Sequence, residues 1–232
     1  MIVLASCSKS APAITDIPTE PNTTIETEAL VVVDTSLLSR AVIVDQLPEG
    51  YVIVDTKEGE ELIFQDLDGD ERIDAVALIQ MRGDTTYDMA EAVKLAIFSP
   101  DRHGIVLLNS ISGNLGGESV AYADHKKLSV KKNVIQYYHQ SMRNEVLLKF
   151  RYDIYAADYQ LIGKEYKNYG GIEDGPYEES INYLTNKKII RTSKWDDEKE
   201  EQIALPESKV HFEKQALYLS EINWDSLYHD LY

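Results

Sequence analysis

Apolar positions along the chain fall into short β-branched and aromatic runs separated by turn residues, with almost no helical spacing. The runs Val42–Val44 and Tyr51–Val54 flank Leu47-Pro48-Glu49-Gly50, and Pro then Gly between such runs predicts a turn. Residues 61–65 (ELIFQ), Ile73–Gln80 and Val93–Phe98 have strand length, the last stopped by Ser99-Pro100. Ile105–Leu108, Asn133–His139, Glu145–Tyr152 and Tyr159–Tyr166 read as strands by the same criterion, being rich in Val, Ile, Tyr and Phe. Ser180–Leu184 and Lys187–Thr192 are joined near Asn186, and Ala216–Glu221 is a last strand candidate. Tyr87–Ala92 could form one or two helical turns, and Trp195–Gln202 (WDDEKEEQ) reads as a charged loop. No stretch of ten or more residues carries an amphipathic helical period. The expected fold is mainly β (α+β with minor helix): a single antiparallel β-rich domain over residues 37–232.

The N-terminal part differs. Ser8 to Ala29 holds Pro12, Pro18 and Pro21 and no aromatic residue, too little apolar area to offset the entropy of ordering it. Residues 8–36 are therefore expected to be a flexible linker, a disordered tether that holds a domain off a surface. Ahead of it, Leu4-Ala5-Ser6-Cys7 resembles a bacterial lipobox, in which the cysteine becomes the acylated N-terminus after signal cleavage. Small residues such as Ala5 and Ser6 are what a signal peptidase accepts before its cut. Residues 1–7 are thus read as the remnant of a lipoprotein signal peptide, with Cys7 the lipidation site. Acyl chains gain about 0.8 kcal/mol per buried CH₂, so several of them anchor a protein firmly to a membrane. Ser8 after the cysteine resembles the outer-membrane sorting pattern, which implies an outer-membrane lipoprotein of the bacterial cell envelope, on its periplasmic or surface face.

Charge narrows the partners. The chain carries 23 Lys+Arg against 40 Asp+Glu, a net −17, and such a field repels phosphate, so no nucleic-acid partner is expected. The imbalance is uneven: residues 126–194 are net +5 by themselves. That patch is either the solvated outer face of strands or a docking surface for something acidic, the N-terminal half of the chain included. A single cysteine excludes a disulfide framework and a Cys-rich zinc site. No run approaches the roughly 18–20 apolar residues of a membrane-spanning helix.

The motifs of serine hydrolases, P-loop enzymes and zinc proteases are absent. His103, His125, His139, His211 and His229 are scattered, and Asp124-His125 is weak evidence for a base, since neighbours on a strand point apart. Gly113, Gly116 and Gly117 around Asn114 read as a mobile turn or as an anion-cradling loop. Tyr137, Tyr138, Tyr152, Tyr155, Tyr159, Tyr166 and Tyr169 read as half-buried strand residues or as an aromatic platform for a glycan or peptide.

One motif carries chemistry. Residues 66–74 read Asp66-Leu67-Asp68-Gly69-Asp70-Glu71-Arg72-Ile73-Asp74 between strand-like flanks. Calcium takes six to eight oxygen ligands, and alternate residues of a tight loop can turn carboxylates inward together. Asp66, Asp68, Asp70 and Asp74 would give side chains and Arg72 its backbone carbonyl, while Gly69 lets the chain turn. The spacing is not that of an EF-hand: Glu71 and Ala77 hold the sixth and twelfth positions. Without a cation the carboxylates would raise one another's pKa values.

DLDGDERIDAVALI resembles the calcium loops of FG-GAP and related VCBS-like repeat proteins, with Glu71 where their pattern has a second glycine. The ordered series LPEGYVIVDTKEGE, DLDGDERIDAVALI, SGNLGG, KFRYD, YQLIG, INYLTNKKI and ALYLSEINWDSL resembles a group of uncharacterised Bacteroidetes-type lipoproteins with a single Asp-rich loop. That resemblance implies an address and a fold but no activity. The leading expectation is a membrane-anchored, non-enzymatic cell-envelope lipoprotein, a calcium-stabilised binding or accessory module for a protein or glycan partner. The alternatives are an extracytoplasmic hydrolase or glycan-active enzyme with dispersed acids, and an inhibitor or immunity-like protein with an acidic docking surface.

Overall fold

A run such as DAVALIQ, apolar at nearly every position, is stable only where both of its faces are covered. The computed structural model describes residues 38–82, 93–100, 108–115, 125–141, 143–170, 175–213, 216–223 and 227. The first half comprises α1 (Arg40–Gln46), β1 (Tyr51–Ile53), β2 (Asp55–Thr56), β3 (Gly59–Glu60), β4 (Leu62–Gln65), β5 (Asp74–Met81), β6 (Val93–Pro100) and β7 (Leu108–Asn114). Strand β5 is the hub of a five-stranded antiparallel sheet: β6 and then β7 lie on one side of it, and β1 and β4 follow each other along the other. Between β1 and β4 the chain leaves the sheet as the small β2–β3 hairpin. The ladder closes beneath it, Val54 N–H donating to the Leu78 carbonyl and Leu78 N–H to that of Glu61.

The second half comprises β8 (Lys126–Lys131), β9 (Val134–Gln140), β10 (Asn144–Asp153), β11 (Asp158–Asn168), β12 (Tyr177–Asn182), β13 (Lys187–Asp196), β14 (Glu201–Ala204) and β15 (Ser208–His211). Strands β8 to β13 form an antiparallel meander in chain order, with β14 and β15 in series along its last edge. The fold is mainly β, with antiparallel sheets and one described α-helix, as the apolar pattern predicts.

Alternation places the core. Val76, Leu78, Val93, Leu95 and Ile97 of the smaller sheet share one buried cluster with Leu128, Ile135, Tyr137, Leu148, Phe150, Tyr159, Leu161 and Ile181 of the larger. The other face of β5 and β6 carries Ala75, Ala77, Ile79, Ala96 and Phe98, and packs on Ile43 of α1. Three alanines there let the helix approach closely, so β5 is buried on both faces. The segment 216–223 plugs one end: Leu219 is buried, and a Cβ at Gly113 would collide with its carbonyl oxygen. Gly113 is therefore a close-approach glycine in β7, neither a mobile turn nor an anion cradle; Gly116 and Gly117 lie outside the described residues.

Several expectations need correction. Val42–Val44 is helical, because Ser39 Oγ accepts the Val42 N–H, Leu47 and Pro48 end the turn, and burial of Ile43 outweighs β-branched propensity. Trp195–Gln202 is the end of a hairpin, β13 and β14 pairing up to Asp196↔Glu201. Ala216–Glu221 is no strand: it makes one bridge, Gln160↔Tyr218, and a 3₁₀ turn at Leu219–Glu221. Cys7, the linker 8–36, Tyr87–Ala92 and residues 105–107 lie outside the described residues. Among those described, no helix is long and apolar enough to cross a membrane.

Candidate metal centre

The Asp-rich segment is the connection from β4 to β5, and its turns come from its own side chains. Asp66 accepts the N–H groups of Gly69 and Glu71, at 2.7 and 3.1 Å, and Asp68 accepts that of Asp70 at 3.0 Å. The Asp68 bond makes an Asx turn, which short acidic side chains form readily, and Asp66 reaches three and five residues on to close the loop around it. Gly69 takes φ +84°, and Glu71 takes φ +68°, a left-handed conformation that glycine would adopt without strain. Asp74, the first residue of β5, is 1% exposed and accepts the Leu67 N–H at 2.9 Å. Leu67 is itself buried in the inter-sheet core, so the loop is pinned at both ends.

The loop gathers three of the four expected aspartate ligands. Carboxylate oxygens of Asp66, Asp68 and Asp74 lie within 4.8 Å of one another. Two ligands on opposite sides of one calcium ion stand about 4.6–5.2 Å apart, so the set fits a single ion of that size. Asp70 is turned elsewhere. One of its oxygens accepts the Arg72 backbone N–H and the other pairs with the Arg72 guanidinium, which also reaches the Pro100 carbonyl.

Electrostatics follow this division. Burial, and after it the neighbouring carboxylates, raise the Asp68 carboxyl above its ordinary value. Asp74 is raised by burial first, against hydrogen bonds from Ser99 and Leu67. Burial also acts to raise Asp70, but its bonds to Arg72 outweigh it and hold Asp70 low. Asp68 and Asp74 are thus charged only against resistance, which a divalent cation would remove.

The charges of this loop reach a residue of the larger sheet that no motif announces. Tyr159 of β11 is 1% exposed, and its hydroxyl has no hydrogen-bond partner among the described residues. Its hydroxyl is held far above the ordinary tyrosine range by burial first and then by the charges of Asp74, Asp68, Tyr152 and Asp66. Only the packing of one sheet on the other reveals it, so sequence periodicity had nothing to offer.

The other candidate chemistry disperses. His125 and His211 are exposed, and Asp124, His103 and His229 lie outside the described residues. His139 is buried and stacks on Tyr137 with ring centroids 6.5 Å apart. Burial, then the charges of Lys126 and His125, lower its pKa to about 4. Its folded value lies below its unfolded value, so its contribution to stability is complete above pH 6.5 and is lost as pH falls toward 4. The full loss is on the order of 3 kcal/mol. Chemical unfolding at pH 7 and pH 4.5 should show most of it in the wild type and a much shallower dependence in His139→Gln. Equal slopes would assign the acid sensitivity to other groups.

The expected cationic patch is partly neutralised within the fold, Glu58 and Glu207 reaching it from outside residues 126–194. Lys127 meets Glu58 at 2.6 Å, Arg191 meets Glu207 at 2.8 Å, Lys188 meets Glu179 at 3.1 Å, and Lys149 pairs with Glu165. Glu61 crosses between the sheets and accepts the Leu128 N–H of edge strand β8. A groove of about 440 Å³ on the outer face of the larger sheet is lined by Tyr138, Glu145, Glu165, Tyr166, Lys167, Glu178 and Arg191, among others. Of the clustered tyrosines, Tyr137 and Tyr159 are buried, while the exposed Tyr155 and Tyr169 flank opposite ends of β11. Those two share no face on which a glycan could stack. Comparison of the chain with protein-family models, curated proteins and solved structures finds no match to any of them.

Proposed function

We propose that this protein is a calcium-stabilised, non-enzymatic binding or accessory module of the bacterial cell envelope, anchored in the outer membrane by lipid on Cys7. The observation that carries the reading is the convergence of Asp66, Asp68 and Asp74 on a volume the size of one calcium ion. Donors of this kind, all hard carboxylate oxygens, suit calcium better than zinc or copper. A weak site with Kd of about 10⁻⁴–10⁻³ M suffices outside the cytoplasm. The address rests on Leu-Ala-Ser-Cys and the Pro-containing stretch behind it. Against the hydrolase reading stands the disposition of the acids: the raised carboxyls of Asp68, Asp74 and Glu61 do not line the groove. Of the acids that do, Glu165, Glu178 and Glu179 are paired with lysines. The ligand is taken to be a protein or glycan of the envelope, and a pull-down from envelope extracts with and without calcium tests that directly.

The anchor has its own test. Expressed in a bacterial host from its native gene and fed an alkyne palmitate analogue, the wild type should label and partition with membranes. Cys7→Ser should remain unlabelled. A wild type that behaves like Cys7→Ser removes the lipoprotein reading and leaves the calcium site standing.

A further inference from the structure

We infer that the calcium site is completed from the opposite sheet by Tyr159, so that ion binding at the Asp66–Asp74 loop fastens the two sheets together. This rests on the calcium reading above and goes beyond it by adding a group from a distant strand and a structural consequence. The loop belongs to the smaller sheet, as the connection from β4 to β5. Tyr159 belongs to β11 of the larger one, paired there with Tyr152 of β10.

Two independent observations meet at this point. The first is the cluster of three carboxylates, whose oxygens are close enough together for one cation. The second is the hydroxyl of Tyr159, buried and without a hydrogen-bond partner among the described residues. A buried hydroxyl left unsatisfied carries its full desolvation cost, so a fold retains one chiefly where something else comes to satisfy it. The groups whose charge acts on this hydroxyl are Asp74, Asp68, Tyr152 and Asp66, so all three members of the cluster are among them. Gln65, the residue before the loop, donates to Asn133 at 3.3 Å. Asn133 precedes Val134, which pairs with Arg151 beside Tyr152, the strand partner of Tyr159, so the loop and the tyrosine lie at the same end of the two sheets.

Three carboxylates cannot fill the coordination shell of calcium, which holds six to eight oxygens and completes itself with carbonyls and water. An ion-bound water turns its lone pair to the metal and its two O–H groups away from it, and the metal's charge makes it a strong donor. The Tyr159 oxygen accepts one of these O–H groups and the phenol remains neutral; no bond is broken and no charge is moved. Its hydrogen bond then links β11 to the end of β5 through the ion.

The test compares Tyr159→Phe with the wild type in the full folded domain, using calcium chloride as the probe. Calorimetric titration should show calcium bound about three- to tenfold more weakly by the variant, the worth of one neutral hydrogen bond. In chelator the variant should be as stable as the wild type or more so, because the unsatisfied hydroxyl has gone. The ultraviolet difference spectrum of buried tyrosine on adding calcium should be present in the wild type and much reduced in Tyr159→Phe. Tyr152→Phe, which removes a hydroxyl from the ring packed 5.2 Å from Tyr159, should keep the affinity and controls for general loosening. Equal calcium affinities in wild type and Tyr159→Phe overturn the role of Tyr159 and leave the carboxylate site intact. A wild type that binds no calcium overturns both.

Discussion

Calcium at a hundredfold excess over its Kd, about 10 mM for a Kd of about 10⁻⁴ M, should raise the midpoint of thermal unfolding by about 5–10 °C over chelator. An ion that binds only the native state stabilises it by RT ln(1 + [Ca]/Kd), about 2.7 kcal/mol at a hundredfold excess over Kd. A domain of about 200 residues gains roughly 2–4 °C per kcal/mol. The gain should be felt by the whole domain, because Asp74 opens the doubly buried strand β5 and Leu67 lies in the inter-sheet core. Asp68→Asn is the cleanest probe: its side chain accepts the Asp70 N–H of its own turn, so the amide can keep the turn while losing the charge. It should abolish most of the calcium increment and slightly stabilise the chelated form. Asp70→Ala should retain the increment, since Asp70 is committed to Arg72; its loss would place Asp70 among the ligands. Acid should act oppositely in the two buffers. Asp68 and Asp74 are raised in the ion-free fold, so there their contribution is complete below the ordinary carboxyl range and is lost as pH rises. In calcium, falling pH instead removes the ligands. Equal midpoints in chelator and calcium at neutral pH would reduce the loop to an acidic turn.

The loop was legible because alternating aspartates around Gly69 leave few local structures, and the bonds that Asp66 and Asp68 accept from backbone N–H groups are local interactions. The fate of Asp70 was not, since the Arg72 guanidinium that claims it is held from outside the motif by the Pro100 carbonyl. Strands with β-branched or aromatic residues, such as β9 to β13, could be read directly from composition and alternation. Val42–Val44 misled for the same reason: its propensity is that of a strand, and only the alanines of β5 and β6 make room for a helix. Tyr159 shows the limit most clearly. Its sequence neighbours mark it as one more half-buried strand tyrosine, and its significance comes from a loop more than eighty residues earlier in the chain.

A second feature that no periodicity predicts yields the largest expected loss of stability. The register of β10 and β11 slips between Lys149 and Phe150, whose partners are Gly163 and Leu161, so Ile162 is an extra residue. A one-residue bulge reverses the side-chain phase along the strand. Tyr159 and Leu161 face the core before it, and Lys164 faces the core after it, 1% exposed. Its ammonium donates to the Leu227 carbonyl at 2.6 Å and lies 3.9 Å from Glu179 Oε1. Glu179 is equally enclosed, and its other oxygen accepts from Lys188 and from the Tyr177 hydroxyl, both at 3.1 Å. Burial first, and then the Glu179 charge, push that hydroxyl up to about 12. Taking one charge out of such a group leaves the others in a medium that cannot solvate them, which costs about 3–5 kcal/mol. Glu179→Gln should therefore lower the unfolding midpoint by roughly 10 °C, with little dependence on salt because the group is shielded from counterions. The double variant Lys164→Met/Glu179→Leu replaces the pair by apolar side chains, and it should cost less than the sum of the single variants by more than about 1 kcal/mol. Strictly additive single and double variants would show that Lys164 and Glu179 do not interact energetically. The bulge would then have turned the lysine inward for the Leu227 carbonyl, holding the C-terminal segment against β11.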